Sequence, residues 1–97
     1  MDEQKRAVLI ANMTENLPTL RKKLGVSQKE LSSILGVNRS TVAAIENHKR
    51  IMTWNMFLAL LLVFIKNEET NKLLNVMEIY TDEFNEFIKH AAEEKEN

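Results

Sequence analysis

Polar residues that could bind an anion begin a short predicted helix in the middle of the chain. Its first turn carries Arg39, Ser40 and Thr41, and its core-facing side carries Val42 and Ile45. A helix that presents a guanidinium and two hydroxyls beside an apolar side can pack on a core and still lie against a grooved, negatively charged surface. Because the major groove of DNA admits one α-helix, DNA is the first ligand to consider.

The charges of the chain are divided between its middle and its end, although the net charge is only −1. Residues 15–66 contain eight Lys or Arg and three Glu, whereas residues 67–97 contain three Lys and nine Asp or Glu. Residues 1–14 are balanced. The middle segment can therefore attract a polyanion, which the end of the chain would repel. Charge runs are often no more than solvated faces, but this basic segment coincides with the helix described above.

Length and composition favour a single, mostly helical domain. The 97 residues include two Gly, one Pro and no Cys, so we expect no disulfide framework, no thiolate metal site and no glycine-rich phosphate loop. His48 and His90 have no metal-ligand spacing around them, and we expect no metal, no cofactor and no enzyme activity. The apolar run 56–65 is about half the length that crosses a bilayer, and the charged N-terminus lacks a signal-peptide pattern. We therefore expect a cytoplasmic protein that does not enter a membrane.

Two helices are predicted before the central motif. The first is expected over residues 3–11. The second is expected from an N-cap at Thr14 to about Leu24, with Pro18 in or near its first turn, where a missing N–H is tolerated. Residues 1–14 are therefore predicted to be an N-terminal helical extension.

The central helices are predicted from their caps. Ser27 and Glu30 fit a capping box, and Gly36 suits the left-handed residue that ends that helix. Two more helices follow, one capped by Asn38 and running to about Asn47, and one capped by Thr53 and running to about Lys66. The last of these is apolar almost all round, so we expect it at the buried centre of the domain.

Apolar residues recur at heptad-like intervals in the acidic end of the chain. They are Leu73, Met77, Tyr80, Phe84, Phe87 and Ala91. Because Thr81 to Glu83 is typical of a helix start, we expect either one helix or a pair with a break near Thr81. The stripe could pack on the core of its own chain. Alternatively, part of it could form a dimer interface, made of Tyr80, Phe84, Phe87 and Ile88.

The segments LGVSQKEL, LGVNRSTV and IEN make residues 17–65 resemble the XRE family of phage-repressor and Cro-like helix-turn-helix regulators. The resemblance implies an all-α, lambda-repressor-like five-helix domain that binds operator DNA, usually as a homodimer on a near-palindromic site. It does not cover the acidic end, which would add one helix or a helix pair. We therefore expect a DNA-binding domain over residues 15–66 and an acidic helical segment, a candidate dimerisation element, over residues 67–97.

The resemblance assigns DNA contacts residue by residue. Base contacts fall to Arg39, Ser40, Thr41 and Ala44, and phosphate contacts to Gln28, Asn47, Lys49 and Arg50. Arg39 could bind a guanine through two hydrogen bonds or bind only phosphate, and Ala44 could touch a thymine methyl group. The sequence departs from the family at Ala44, where a long polar residue is common, at Ser32, where Ala is usual, and at His48, which replaces a common Gly.

The resemblance also implies a buried ion pair between Arg21 and Glu46, which would tie the first helix to the recognition helix. The function that follows is a sequence-specific transcriptional regulator, a repressor acting as a homodimer on double-stranded DNA. The alternative is a protein-interaction module, such as an antitoxin whose tail, residues 82–95, binds a partner protein.

Overall fold

Six helices make up the part of the chain that the computed structural model describes, residues 1–94, and this part contains no strand. The helices are α1 (Glu3–Leu24), α2 (Gln28–Leu35), α3 (Arg39–Glu46), α4 (Trp54–Lys66), α5 (Glu68–Leu74) and α6 (Asp82–Glu94). The all-α class is therefore confirmed. None of these helices is long and apolar enough to cross a membrane. Lys95 and the two residues after it, which belong to the predicted acidic tail, lie outside the described residues.

Helix α1 is one continuous helix of 22 residues, where the sequence predicts two. Its N-cap is Asp2, whose carboxylate accepts a hydrogen bond from the Lys5 amide at 2.8 Å. Thr14 is not a cap, because it lies inside the helix and donates its hydroxyl to the Ile10 carbonyl at 2.8 Å. The expected break after residue 11 is therefore wrong, and the predicted boundary at residue 14 falls within α1.

Packing explains why α1 continues through Thr14 and Pro18. Four residues along it, spaced by four, four and three positions, are buried in the core. They are Leu9, Met13, Leu17 and Leu20. This stripe keeps one face of the helix against the core on both sides of Thr14, so burial of apolar surface outweighs the local preference of Thr for a helix end.

The start of α2 has the predicted capping box. The Ser27 hydroxyl accepts from the Glu30 amide at 3.0 Å, and the Glu30 carboxylate accepts from the Ser27 amide at 2.9 Å. The hydrogen bond from the Ser27 backbone amide lowers the pKa of Glu30, and the Ser27 side chain adds to this effect. The helix ends at Gly36, whose φ of 73° is left-handed and whose N–H binds carbonyls of the last turn. Both ends of α2 are therefore confirmed.

Helix α4 begins at its predicted cap, since the Thr53 hydroxyl accepts from the Met56 amide at 3.1 Å. Phe57, Leu60 and Phe64 are fully buried, but Leu58 and Leu62 on the other side are exposed. Helix α4 therefore contributes to the buried centre of the domain, as expected, but its apolar residues are not all covered. The core covers one side of the helix only.

The acidic end of the chain forms two helices with a break at the predicted place, and it packs on the same core as α1. The Thr81 hydroxyl accepts from the Phe84 amide at 3.1 Å at the start of α6. Leu74, Ile79 and Phe84 belong to the single cluster of buried residues that also holds α1 and α4. The described part of the segment 67–97 is therefore joined to residues 1–66 through a shared core.

Phe84 does not form an exposed dimer interface, which corrects the prediction for this residue. Phe84 is fully buried, with its ring centroid 5.5 Å from that of Trp54 and 6.1 Å from that of Phe57. Tyr80 is half-buried and packs edge-on against Phe84 at 6.0 Å. The Phe84 ring is part of the core of its own chain, and the Tyr80 ring packs against that core. Phe87 and Ile88 are still exposed, at 43% and 46%.

Candidate nucleic-acid interface

Helix α3 is held in place by its apolar side. Val42 and Ile45 are buried in the core together with Leu31 of α2. Ser32 is buried where the two helices approach each other, and its hydroxyl donates to the Lys29 carbonyl at 2.6 Å. The hydroxyl that replaces the family's usual Ala is therefore satisfied, and the residue is still small enough for close packing. The opposite side of α3 is free to meet a ligand.

The residues predicted to contact bases differ in their exposure. Arg39 and Ser40 are exposed in the first turn of α3. Thr41 is half-buried, and its hydroxyl accepts a hydrogen bond from the Arg50 guanidinium at 3.3 Å. Ala44 is half-buried as well, so only part of its methyl group is accessible. Arg39 and Ser40 are therefore the side chains that project most freely from the predicted reading face.

Three of the residues predicted to contact phosphate follow α3 in one exposed loop. They are Asn47, Lys49 and Arg50. His48 between them has a left-handed φ of 60°, as the glycine that it replaces would favour. The Lys49 amide donates to the Ala44 carbonyl at 2.8 Å, which keeps the loop folded against the end of α3. The loop therefore carries two cations beside the recognition helix.

Gln28, the fourth predicted phosphate contact, already has a partner within the chain. It is half-buried, and its amide nitrogen donates to the Glu46 carboxylate at 3.0 Å. A side-chain amide has two N–H donors, so one is left for a phosphate oxygen. Gln28 therefore links the start of α2 to the end of α3 and can help to orient α3.

Arg21 of α1 and Glu46 at the end of α3 form the expected ion pair. The guanidinium donates twice to the carboxylate, at 2.8 and 3.1 Å, and once to the Val26 carbonyl at 3.1 Å. The two side chains are only 13% and 6% exposed. A carboxylate at a helix C-terminus is unfavourable next to the negative end of the helix dipole, and Arg21 offsets both this effect and the burial of Glu46.

The pKa values of the pair follow from its geometry. Burial alone raises the pKa of Glu46, but the hydrogen bonds from Arg21 and Gln28 and the charge of Arg21 outweigh it and hold that pKa below its usual range. The hydrogen bonds to Glu46 likewise raise the pKa of Arg21 despite the opposing effect of burial. Both groups are therefore charged at neutral pH, and the pair links α1 to the end of α3.

Asn38 is a candidate DNA contact that sequence reasoning misses. It occupies the N-cap position of α3, but its side chain makes no capping hydrogen bond and is exposed. The expectation that this side chain caps the helix is therefore wrong. Its amide stands beside Arg39 and can donate and accept hydrogen bonds. The sequence gives no signal for this, because Asn at such a position normally indicates a cap.

Two short helices joined by a glycine turn, with an exposed polar face on the second, define a helix-turn-helix protein of the DNA-binding class. A family model described as helix-turn-helix domain matches residues 14–83, and the chain belongs to this family. The match begins inside α1 and ends at the start of α6, so residues 1–13 are not part of it. Neither the curated proteins nor the solved structures contain a match to the chain.

Proposed function

We propose that the protein is a sequence-specific transcriptional regulator of the phage-repressor (XRE) type, which places α3 in the major groove of double-stranded DNA. The observation that carries this proposal is the exposure of Arg39 and Ser40 on a helix whose other side is anchored in the core. With its side chains an α-helix is about 10–12 Å in diameter, so a helix such as α3 fits the major groove, which is about 12 Å wide.

The side chains divide into those that read sequence and those that position the protein. Arg39 reaches base edges and prefers guanine, whose O6 and N7 accept its two parallel N–H groups. Asn47, Lys49 and Arg50 bind phosphate and set the register without reading bases. Because Ala43 and Ala44 follow on the helix, few base contacts are available. Part of the sequence preference therefore comes from DNA shape and deformability.

A homodimer on a near-palindromic operator suits a reading face this small. One α3 contacts only a few base pairs, and a second copy doubles them when the half-sites are one helical turn, about 34 Å, apart. A dimer bound across a promoter would exclude polymerase, so we propose repression, carried out in the cytoplasm where bacterial and phage promoters lie.

Selection of bound sequences from a random DNA pool tests this function. We expect a palindromic product, and binding that weakens steeply with salt, because each neutralised phosphate adds about −0.9 to the slope of log affinity against log salt concentration. The absence of any enriched sequence, together with binding that does not change between low and moderate salt, would refute the proposal.

Matched variants then separate the two kinds of contact. Arg39→Ala should relax the preference at one position of the half-site, whereas Lys49→Ala should weaken binding to all sequences alike. Lys72→Ala, which removes an exposed cation on α5, serves as the control with unchanged sequence preference. Uniform weakening by Arg39→Ala would reassign Arg39 to phosphate.

The exposed residues on α6 favour a second candidate function, a protein-interaction module. Phe87 and Ile88 are exposed on a helix that also carries Glu86 and Glu93, and such an acidic surface repels DNA. An antitoxin-like protein would cover these residues with its target. This function would be favoured if the DNA selection returns no product and the α6 amides of the isolated chain exchange hydrogen as fast as those of an unfolded peptide. A stable homodimer that binds DNA would argue against it.

A further inference from the structure

A groove of about 380 Å³ lies between α1 and residues 48–52, which comprise most of the phosphate-contact loop and the two residues after it. The α1 wall is made of Ala7, Ile10, Ala11, Thr14 and Glu15, and the opposite wall is made of His48, Arg50, Ile51 and Met52. Ala7 and Ala11 are four residues apart on the same side of α1. Because both are small, another chain can come close to this helix.

Ile51 stands beside this groove and is 86% exposed, more than any other large apolar side chain among the described residues. Its neighbour Met52 is fully buried in the core, and His48 in its left-handed conformation sets the direction of the loop. The surface therefore presents a projecting apolar side chain next to an apolar groove. A surface with both features can pair with a copy of itself about a two-fold axis.

We propose that Ile51 of each of two copies enters this groove on the other, and that the dimer forms here. Charge supports a second copy as the occupant, since Glu15 stands on one wall and Arg50 on the other. A two-fold axis between the walls brings Arg50 of one copy towards Glu15 of its partner. DNA does not fit the α1 wall, whose only charged residue is Glu15.

The proposal deepens the function proposed above and gives the homodimer a defined surface. Ile51 directly follows Lys49 and Arg50, so this pairing brings the phosphate-contact loops of both copies next to the axis. Neighbouring half-sites on one face of DNA require that arrangement. Ala7, Ile10 and Ala11 precede residue 14, where the family match begins, so this part of the α1 wall lies outside the matched residues.

Sedimentation of the full chain without DNA tests the proposal. We expect a dimer whose dissociation constant rises about tenfold or more in Ile51→Ser, which corresponds to at least about 1.4 kcal/mol. Ala11→Glu should have the same effect from the groove side. One control is Val76→Ser, which removes a comparably exposed apolar side chain (79%) between α5 and α6. The other is Gln4→Glu, which adds a carboxylate at an exposed position of α1. Neither should alter the dissociation constant of the dimer. Far-UV circular dichroism shows whether each variant is folded.

Cross-linking, at a protein concentration high enough to populate the dimer, supplies a second measurement that reports how close the two copies of residue 51 lie. The chain has no cysteine, so Ile51→Cys introduces a single thiol. We expect a short bismaleimide to link Ile51→Cys into dimers and to leave Val76→Cys monomeric. Phe87→Ser with Ile88→Ser tests the rival surface on α6 and should leave the dimer intact.

The proposal is overturned if the wild type is monomeric, if Ile51→Ser dimerises as the wild type does, or if only the α6 variant dissociates. DNA binding to a single half-site keeps the two proposals apart. A monomer that still selects a half-site would refute this dimer and leave the DNA function standing. A dimer that depends on Ile51 but selects no DNA would support this dimer surface and refute the DNA function.

Discussion

Replacing Arg21 by alanine should destabilise the fold more than any other change to a surface charge of this chain. The substitution leaves the Glu46 carboxylate, which is 6% exposed, without its cation and without two of its hydrogen bonds. Removing one partner of a buried ion pair typically costs about 3–5 kcal/mol. Gln28 still donates to Glu46, and Arg21 lies at the edge of the core, so we expect a loss of about 2–3 kcal/mol in the free energy of unfolding.

Urea unfolding of the full chain measures this loss. For a domain of this size the slope is about 1 kcal/mol per molar urea, so the midpoint should fall by about 2–3 M. Arg21→Lys should give an intermediate value, because it keeps the charge but loses the two parallel N–H groups. The matched control is Lys72→Ala. Lys72 forms an ion pair with Glu69 in which both side chains are exposed, so its loss should change the free energy of unfolding very little.

A double substitution isolates the interaction itself. Arg21→Met combined with Glu46→Leu removes both charges, and we expect it to be more stable than Arg21→Ala, since no carboxylate is left buried alone. A loss below about 0.5 kcal/mol for Arg21→Ala would refute the reasoning, because it would mean that water solvates Glu46 as well as Arg21 does.

Three further predictions concern pH, backbone strain and the aromatic residues. The pKa of Glu46 in the folded state lies below its ordinary value of 4.5, so its contribution to the free energy of unfolding is complete above about pH 4.5 and is lost as the pH falls through the folded pKa. Glu46→Gln should therefore reduce the acid-induced loss of stability in a pH series of urea unfolding. An unchanged loss would contradict this prediction. His48→Gly should raise stability by about 0.5–1 kcal/mol, because it removes left-handed strain and adds a smaller entropy cost, whereas a decrease would show that the imidazole makes a stabilising contact. Phe84→Ala should lower the free energy of unfolding by about 3–5 kcal/mol and Phe87→Ala by less than about 1 kcal/mol, and equal losses would contradict their different burial.

Features that rest on neighbouring residues could be predicted from the sequence. The capping box of Ser27 and Glu30, the left-handed turn at Gly36 and the cap at Thr53 depend on groups within a few residues of each other. Resemblance to a known family added the pairing of Arg21 with Glu46, which composition and spacing alone do not indicate. These features were enough to define the helical class and to locate the helix that we propose lies against DNA.

Features that depend on distant segments needed the tertiary structure. Thr14 has the sequence of a helix cap, but the core on both sides of it makes α1 continuous. Phe84 and Phe87 are equivalent in the heptad-like stripe, and only the tertiary packing, which places Phe84 against Trp54 and Phe57, makes the first buried and leaves the second exposed. Likewise, Gln28 is engaged by Glu46, whereas Asn38 is left without a capping bond.

The sequence by itself thus determined the ends of α2, the start of α4 and the polar face at Arg39, because local hydrogen bonds set these helix ends and periodicity sets the helix faces. Only the tertiary structure decided which side chains remain accessible on those helices, because accessibility depends on what other segments cover. The groove beside Ile51 is of this second kind, since its two walls come from α1 and from a loop more than thirty residues later in the chain.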